Sequence, residues 1–252
     1  MTASTDAEAP SVWVPPPPTG IPENQLDFYP APEPNGTGVL VLPGGGYSFV
    51  STEHEGFKTT AWLNARGYDA WMLNYATTTT SPAPLYPKPQ QQALAAIDTI
   101  RRQGRVSKLG IWGYSAGGHL AATTITDPKG AASLAFAILA YPVISMDPSI
   151  THAGSRENLI GTDAPAELTA QLSAEANVSP QTPRMFLFHT ANDSVVPVDN
   201  AMLMAAALAR NKVPFHLLVL PDGNHGLSIP EEKDDPARTW TTELDRWLKY
   251  SV

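Results

Sequence analysis

Short, largely apolar runs recur along this chain, separated by longer stretches in which apolar side chains return every three or four positions. The most continuous runs are Gly38 to Leu42, Leu109 to Trp112, Leu134 to Tyr141, Met185 to His189 and Phe215 to Leu220. A run that is apolar on both sides predicts a strand covered on both faces, the environment of a parallel sheet. Tyr68 to Tyr75 predicts a further strand, and the alternation in Leu26 to Tyr29 an early one. Helical spacing marks Glu53 to Arg66, with Phe57, Ala61 and Trp62 on one face and a stop at Gly67. It returns in Gln90 to Gln103, through Leu94, Ala95, Ile97 and Ile100, and in Val198 to Asn211, through Leu203 and Leu208. A last helix is expected from Asp234 to Tyr250, with Trp240, Leu244, Trp247 and Leu248 turned to the core. Strands alternating with helices predict the α/β class, as a doubly wound, mostly parallel sheet with helices on both faces.

Two regions break this alternation. Residues 1–22 carry Val12-Trp13-Val14 and the run Pro15 to Pro18, which predict an extended, flexible, proline-rich arm ahead of a single domain spanning 23–252. Residues 144–183 are polar and rich in Pro, Ser, Thr and Asn, with short helical pieces near Ala166 to Ala176. A plain loop of that length is uncommon, so a lid-like insertion over the edge of the site is expected there.

Composition narrows the partners. The 252 residues are 42% hydrophobic, enough for a sizeable core, and the net charge is -8 with no cluster of Lys or Arg. This charge argues against nucleic acid or an anionic membrane as partner. No apolar stretch approaches the length that spans a bilayer. The absence of cysteine removes thiol catalysis, thiolate metal sites and disulfides. Met1 to Pro10 lacks the basic and apolar regions of a secretory signal, which favours the cytoplasm; a secreted protein whose signal had been removed would look the same.

Chemistry gathers where the strands end. Gly113-Tyr114-Ser115-Ala116-Gly117 follows an apolar run and fits the G-x-S-x-G elbow, a sharp strand-to-helix turn that exposes a serine hydroxyl. Pro43-Gly44-Gly45-Gly46-Tyr47 follows another run and corresponds to the glycine-rich oxyanion loop of esterases, with proline in place of histidine. Its spacing fits neither phosphate-binding glycine pattern. Asp193 lies just past the run Met185 to His189, and His225 just past the run Phe215 to Leu220. The order nucleophile, acid, histidine is that of hydrolases built on such a sheet.

These residue types belong together for a chemical reason. A serine hydroxyl needs a base that takes its proton during attack and returns it to the leaving group, and histidine titrates in the useful range. A carboxylate behind the imidazole fixes its tautomer, and amides of Gly45, Gly46 and Ala116 would hold the oxyanion. Asp193 is preferred over Asp199 and Asp222 because it directly follows a strand in the required order. For His54, His119, His152, His189 and His216 a structural role is the preferred reading. Glu53-His54-Glu55 would suggest a metal, but consecutive helical residues diverge by about 100°, so a solvated helix entrance is preferred. No metal or cofactor is called for. The polar run Thr151 to Asn158, with His152 and Arg156, fits either substrate contact or internal bracing.

Taken together, Pro43 to Tyr47, Gly113 to Ala122, Tyr141 to Ser145, Gly154 to Leu159 and His189 to Asp193 resemble bacterial α/β-hydrolase esterases of the carbohydrate acetylesterase or acetylxylan esterase type. The resemblance implies an α/β-hydrolase fold and a Ser115, Asp193, His225 triad that deacetylates sugars or xylan fragments without metal. Tyr47, Tyr114, His152 and Arg156 are candidates to contact a small-molecule or oligosaccharide ester. One departure is Leu73-Asn74-Tyr75-Ala76, which lacks the arginine often found after that tyrosine. Feruloyl esterase, dienelactone hydrolase, peptidase-like activity and a catalytically silent binding protein share the same fold.

Overall fold

The structure is a computed structural model describing residues 22–232 and 235–252. The arm expected over residues 1–22 lies outside the described residues except for Pro22, and so does Asp234, the expected start of the last helix. Among the described residues the strands are β1 (Gln25–Tyr29), β2 (Thr37–Leu42), β3 (Asp69–Asn74), β4 (Lys108–Tyr114), β5 (Phe136–Ala140), β6 (Arg184–Thr190) and β7 (Phe215–Leu220). The helices are α1 (Lys58–Asn64), α2 (Lys88–Gln103), α3 (Ser115–Thr126), α4 (Pro128–Ser133), α5 (Ala153–Ile160), α6 (Ala166–Leu172), α7 (Asp199–Arg210) and α8 (Arg238–Ser251). One sheet forms in the order β1-β3-β2-β4-β5-β6-β7, antiparallel between β1 and β3 and parallel elsewhere.

The continuous apolar runs follow from having a core on each face. Leu40, Leu42, Ile111, Leu139 and Leu187 pack with Ile97 of α2, Leu120 of α3 and Leu208 of α7. Their chain neighbours Val39, Val41, Trp112, Ile138, Phe186 and Phe188 pack on the other face with Leu63 of α1 and Trp240, Leu244 and Trp247 of α8. Successive strand residues enter different cores, so neither set of positions tolerates a polar group. Each large side chain buried in this way contributes about 1.5–3 kcal/mol. The second core is the more aromatic: Phe188 stacks on Trp240 at 4.7 Å, and Trp112 meets Trp240 edge-on at 5.9 Å.

Parallel pairing has a direct consequence for the site. Strands β2, β4, β5, β6 and β7 all end on one side of the sheet, so the residues just past Leu42, Tyr114, Ala140, Thr190 and Leu220 share a rim.

The helix expected over Glu53 to Arg66 departs from its predicted form. Thr52–Phe57 is a π-helical turn that leads into α1. The wider turn rotates the inward face, so Thr59, Thr60 and Leu63 are buried while Phe57 is 40% exposed and Ala61 is exposed. Trp62 is half-buried and meets Trp112 edge-on. Residues 144–183 contain α5, α6 and a 3₁₀ turn at Ala174–Asn177, and their Ile144, Met146, Leu159, Leu172 and Ala174 are buried in the same core as β2 and α3. Asn200 of α7 secures the start of this segment, accepting from the Ile144 and Ser145 amides and donating to the Ile150 carbonyl. Among the described residues no helix is long and apolar enough to cross a membrane.

Candidate active site

The elbow is shaped by what its glycines leave out. A Cβ on Gly117 would lie 2.1 Å from the Leu42 carbonyl oxygen, and one on Gly113 would lie 2.2 Å from that of Gly117. Without those atoms β4 turns directly into α3, and Ser115 stands at the bend with φ +50, a conformation that L residues adopt only when the surroundings enforce it. Ser115 is 7% exposed, and its Oγ lies 2.8 Å from His225 Nε2. The Nδ1–H of His225 donates to Asp193 Oδ2 at 2.7 Å.

Asp193 is itself firmly held. Its Oδ1 accepts from the amides of Val195 and Val196 at 2.9 and 3.0 Å, and His189 Nε2 lies 3.4 Å from Oδ2. Burial pushes this carboxyl up, but the bonds from His189 and His225 outweigh it and hold the group well below the usual carboxylate range. It is ionised at any pH where the imidazole can act as a base.

The glycine loop faces the same point. Gly45 has φ +126 and a Cβ there would lie 2.2 Å from the Phe49 carbonyl oxygen, so the loop closes only around glycine. The Gly44 amide is committed to Glu55 Oε2 at 2.6 Å, whereas the amides of Gly45, Gly46 and Ala116 make no hydrogen bond among the described residues. Ala116 opens α3, where the first amides have no helical partner.

The four candidate contact residues divide. His152 caps α5: its Nδ1 lies 2.8 Å from Ser155 Oγ and accepts from the Ser155 amide at 3.2 Å. The ring borders the loop, since a Cβ on Gly46 would lie 3.6 Å from His152 Cε1. Burial, and then the charge of His225, lower its pKa. Arg156 turns into its own segment. Only 8% exposed, it donates to the carbonyls of Met146, Gly161 and Thr162 and braces the segment.

Tyr47 and Tyr114 also turn inward. The Tyr47 ring is fully buried, with its hydroxyl on His119 Nδ1 at 2.8 Å. Tyr114 is buried under α1, stacked on Trp112, with its hydroxyl 2.6 Å from Thr59 Oγ1. Both adjoin site residues in the sequence, but their side chains turn into the cores. A cavity of about 180 Å³ lined by Tyr86, Gln90, Thr123 and Gln171 lies along the far half of α3 and shares no residue with the Ser115 cluster. Among the described residues no group of three or more His, Cys, Asp or Glu could hold a metal ion.

Glu55 is what the sequence reading missed. Expected at a solvated helix entrance, it is 4% exposed and sits behind the glycine loop, its Oε1 accepting from the Tyr141 hydroxyl at 2.8 Å. The available signal was Gly56, which lies within a helical pattern because a Cβ there would meet Met72 Sδ at 2.3 Å. Such close approach means that the turn is packed inward.

Comparison with known proteins agrees with this architecture. The profile of the prolyl oligopeptidase family matches residues 87–251. The chain is 35% identical over 217 residues to endo-1,4-beta-xylanase B of Butyrivibrio fibrisolvens, covering 77% of this chain and 33% of that protein. It is 32% identical over 232 residues to an acetylxylan esterase of Xylanibacter ruminicola, covering 86% of this chain and 46% of the relative. The chain thus spans between a third and a half of the length of these curated relatives. Among solved structures, the acetyl ester-xyloside bifunctional hydrolase from Caldicellulosiruptor lactoaceticus superposes with a TM-score of 0.79 at 32% identity, over 89% of this chain and 86% of that one.

Proposed function

Because this chain belongs to the prolyl oligopeptidase family of α/β-hydrolases, we propose that it is a serine esterase that removes short acyl groups, acetyl above all, from carbohydrate esters. The observation that carries the proposal is the Ser115, His225, Asp193 relay, with contacts of 2.8 and 2.7 Å, beside the unpaired amides of Gly45, Gly46 and Ala116. The acetylxylan esterase and the acetyl ester-xyloside hydrolase among its relatives support the choice of substrate class.

In this reaction Ser115 Oγ attacks the ester carbonyl carbon while His225 Nε2 takes the hydroxyl proton, and Asp193 stabilises the resulting imidazolium. Charge develops on the carbonyl oxygen, where the three amides receive it. The tetrahedral species expels the sugar oxygen, which takes the proton back from His225, and an acyl-serine remains. Water then enters, gives a proton to His225 and attacks the acyl carbon; collapse releases the carboxylic acid and returns the proton to Ser115. His152 serves as a donor to the sugar. With Nδ1 accepting from Ser155, its proton sits on Nε2 beside the glycine loop.

The test is a series of p-nitrophenyl esters of increasing acyl length, run on wild type and Ser115→Ala, with acetate release from acetylated xylan measured beside feruloyl and peptide substrates. The proposal expects kcat to fall by more than about 10⁴-fold in Ser115→Ala and acetyl to be the preferred acyl group. Peptide hydrolysis is the second reading, favoured by the family match, and cleavage of peptide over acetyl substrates would establish it in place of the first.

A further inference from the structure

We propose that Glu55 is a positioning residue for the Ser115 site, its buried carboxylate tying the glycine loop to the loop that carries His225 so that one group sets both sides of the reacting carbonyl. The inference rests on the esterase reading above.

Hydrogen-bond bookkeeping fixes the direction of every contact. The Ser228 amide donates to the Tyr141 hydroxyl at 2.9 Å, so the single hydroxyl proton of Tyr141 is left to donate to Glu55 Oε1 at 2.8 Å. The Gly44 amide donates to Oε2 at 2.6 Å. Both carboxylate oxygens therefore accept, and the chain of contacts runs from Gly44 through Glu55 and Tyr141 to Ser228, three residues past the base. A Cβ on Gly44 would lie 2.8 Å from Glu55 Oε2 and 3.0 Å from Ser115 Cβ, so this glycine sits between the carboxylate and Ser115. Tyr141 completes the contact from the other side, its ring edge-on to His225 with centroids 5.0 Å apart.

The same π-helical turn grips the His225 loop a second time. His54 Nε2 donates to the Gly226 carbonyl at 2.8 Å, and Ser228 Oγ donates to the His54 carbonyl at 2.5 Å. π-helical turns are uncommon and recur at functional sites.

Energetics point the same way. A buried carboxylate with no Lys or Arg partner is costly to keep. The groups facing Glu55 are the hydroxyls of Tyr75, Tyr114 and Tyr141 together with His54 and His225. Burial holds its pKa above the usual carboxylate value, and the bonds from Tyr141 and Gly44, then the charges of His225 and His54, offset only part of that rise. Among the described residues the cationic groups acting on it are His225 and His54, so its charge is best matched when His225 carries the proton taken from Ser115.

The test compares wild type, Glu55→Gln, Tyr141→Phe and Ser115→Ala on p-nitrophenyl acetate, with kcat, KM, the pH profile of kcat/KM and thermal unfolding measured for each. In Glu55→Gln the amide group presents a donor where a donor already points. The expected result is a kcat about 10²-fold lower at nearly unchanged KM in a folded protein, with the acid limb of the profile moved to lower pH. Tyr141→Phe keeps the Gly44 bond and is expected to lose roughly tenfold in kcat. A folded Glu55→Gln with kcat within about twofold of wild type, or with an unmoved acid limb, overturns the proposal. Should Glu55→Gln fail to fold, an unchanged kcat in Tyr141→Phe overturns it. Activity retained by Ser115→Ala would instead defeat the esterase reading, so the two failures are told apart.

Discussion

On the side of the proposed nucleophile, Ser115, position is set by backbone pressed against backbone. Gly117 lies against the carbonyls of Leu42 and Pro43, Gly113 against Gly117, and the Val143 amide donates to the Ser115 carbonyl. On the side of the proposed base, His225, among the described residues, no backbone-to-backbone hydrogen bond ties residues 222–230 to another segment. That loop is held by side chains: Asp193 on His225, Thr190 on the Gly223 carbonyl, Asn192 on the Gly223 amide, and His54 and Tyr141 on Gly226 and Ser228. The nucleophile's support should therefore tolerate no added carbon, and the base's support should answer to single polar substitutions.

The sharpest way to break this contrast is Gly117→Val. Carbonyl oxygens 2.1 and 2.3 Å from the new Cβ cannot be relieved by a side-chain rotation. Loss of more than about 4 kcal/mol of stability, with loss of activity, is expected in chemical denaturation and ester assays.

On the opposite side, Asp193→Asn should leave the fold intact. The new amide oxygen would take the Val195 and Val196 amides, turning the NH₂ group toward His225 Nδ1. His225 would then carry its proton on Nε2, facing Ser115, and kcat should fall by about 10⁴-fold while the unfolding midpoint moves little.

Acid should strike the nucleophile's side first. His119 on α3 accepts from Tyr47 and donates to the Leu172 carbonyl, and burial, partly offset by that carbonyl, lowers its pKa from 6.5 to about 4. Its folded pKa is depressed, so the neutral ring contributes full stability above the unfolded value of 6.5 and loses it as pH falls through about 4. On the order of 3 kcal/mol is at stake. Thermal unfolding followed from pH 7 to pH 4 should fall more steeply in wild type than in His119→Gln.

The smallest effect is expected from His54→Ala. It removes one tether of the His225 loop on an exposed surface, so kcat should drop less than about tenfold with stability nearly unchanged.

The same contrast explains what the sequence made legible. Apolar runs that enter two cores, and glycines that backbone sterics demand, leave a local signature, and β2, β4 and the elbow were readable from them. Ser115, Asp193 and His225 each follow such a run, so parallel pairing alone brings them to one rim. Features that depend on distant partners left no local trace. Glu55 looks like its neighbour Glu53 until Gly44 and Tyr141 are beside it, and the π-helical turn changes which residue faces inward. Tyr114 alternates with Trp112 onto the aromatic face, and Arg156 finds three carbonyls in its own segment. Adjacency to a motif does not tell which way these side chains turn.

Asn158 of α5 donates to both the Gly46 carbonyl and Ser48 Oγ, at 2.9 Å each. The segment above the rim and the glycine-rich strip proposed to stabilise the anion are thereby one mechanical unit. Descendants of this protein that reshape the segment to admit a bulkier alcohol would disturb turnover in the same mutation, so selectivity and speed are inherited as a pair.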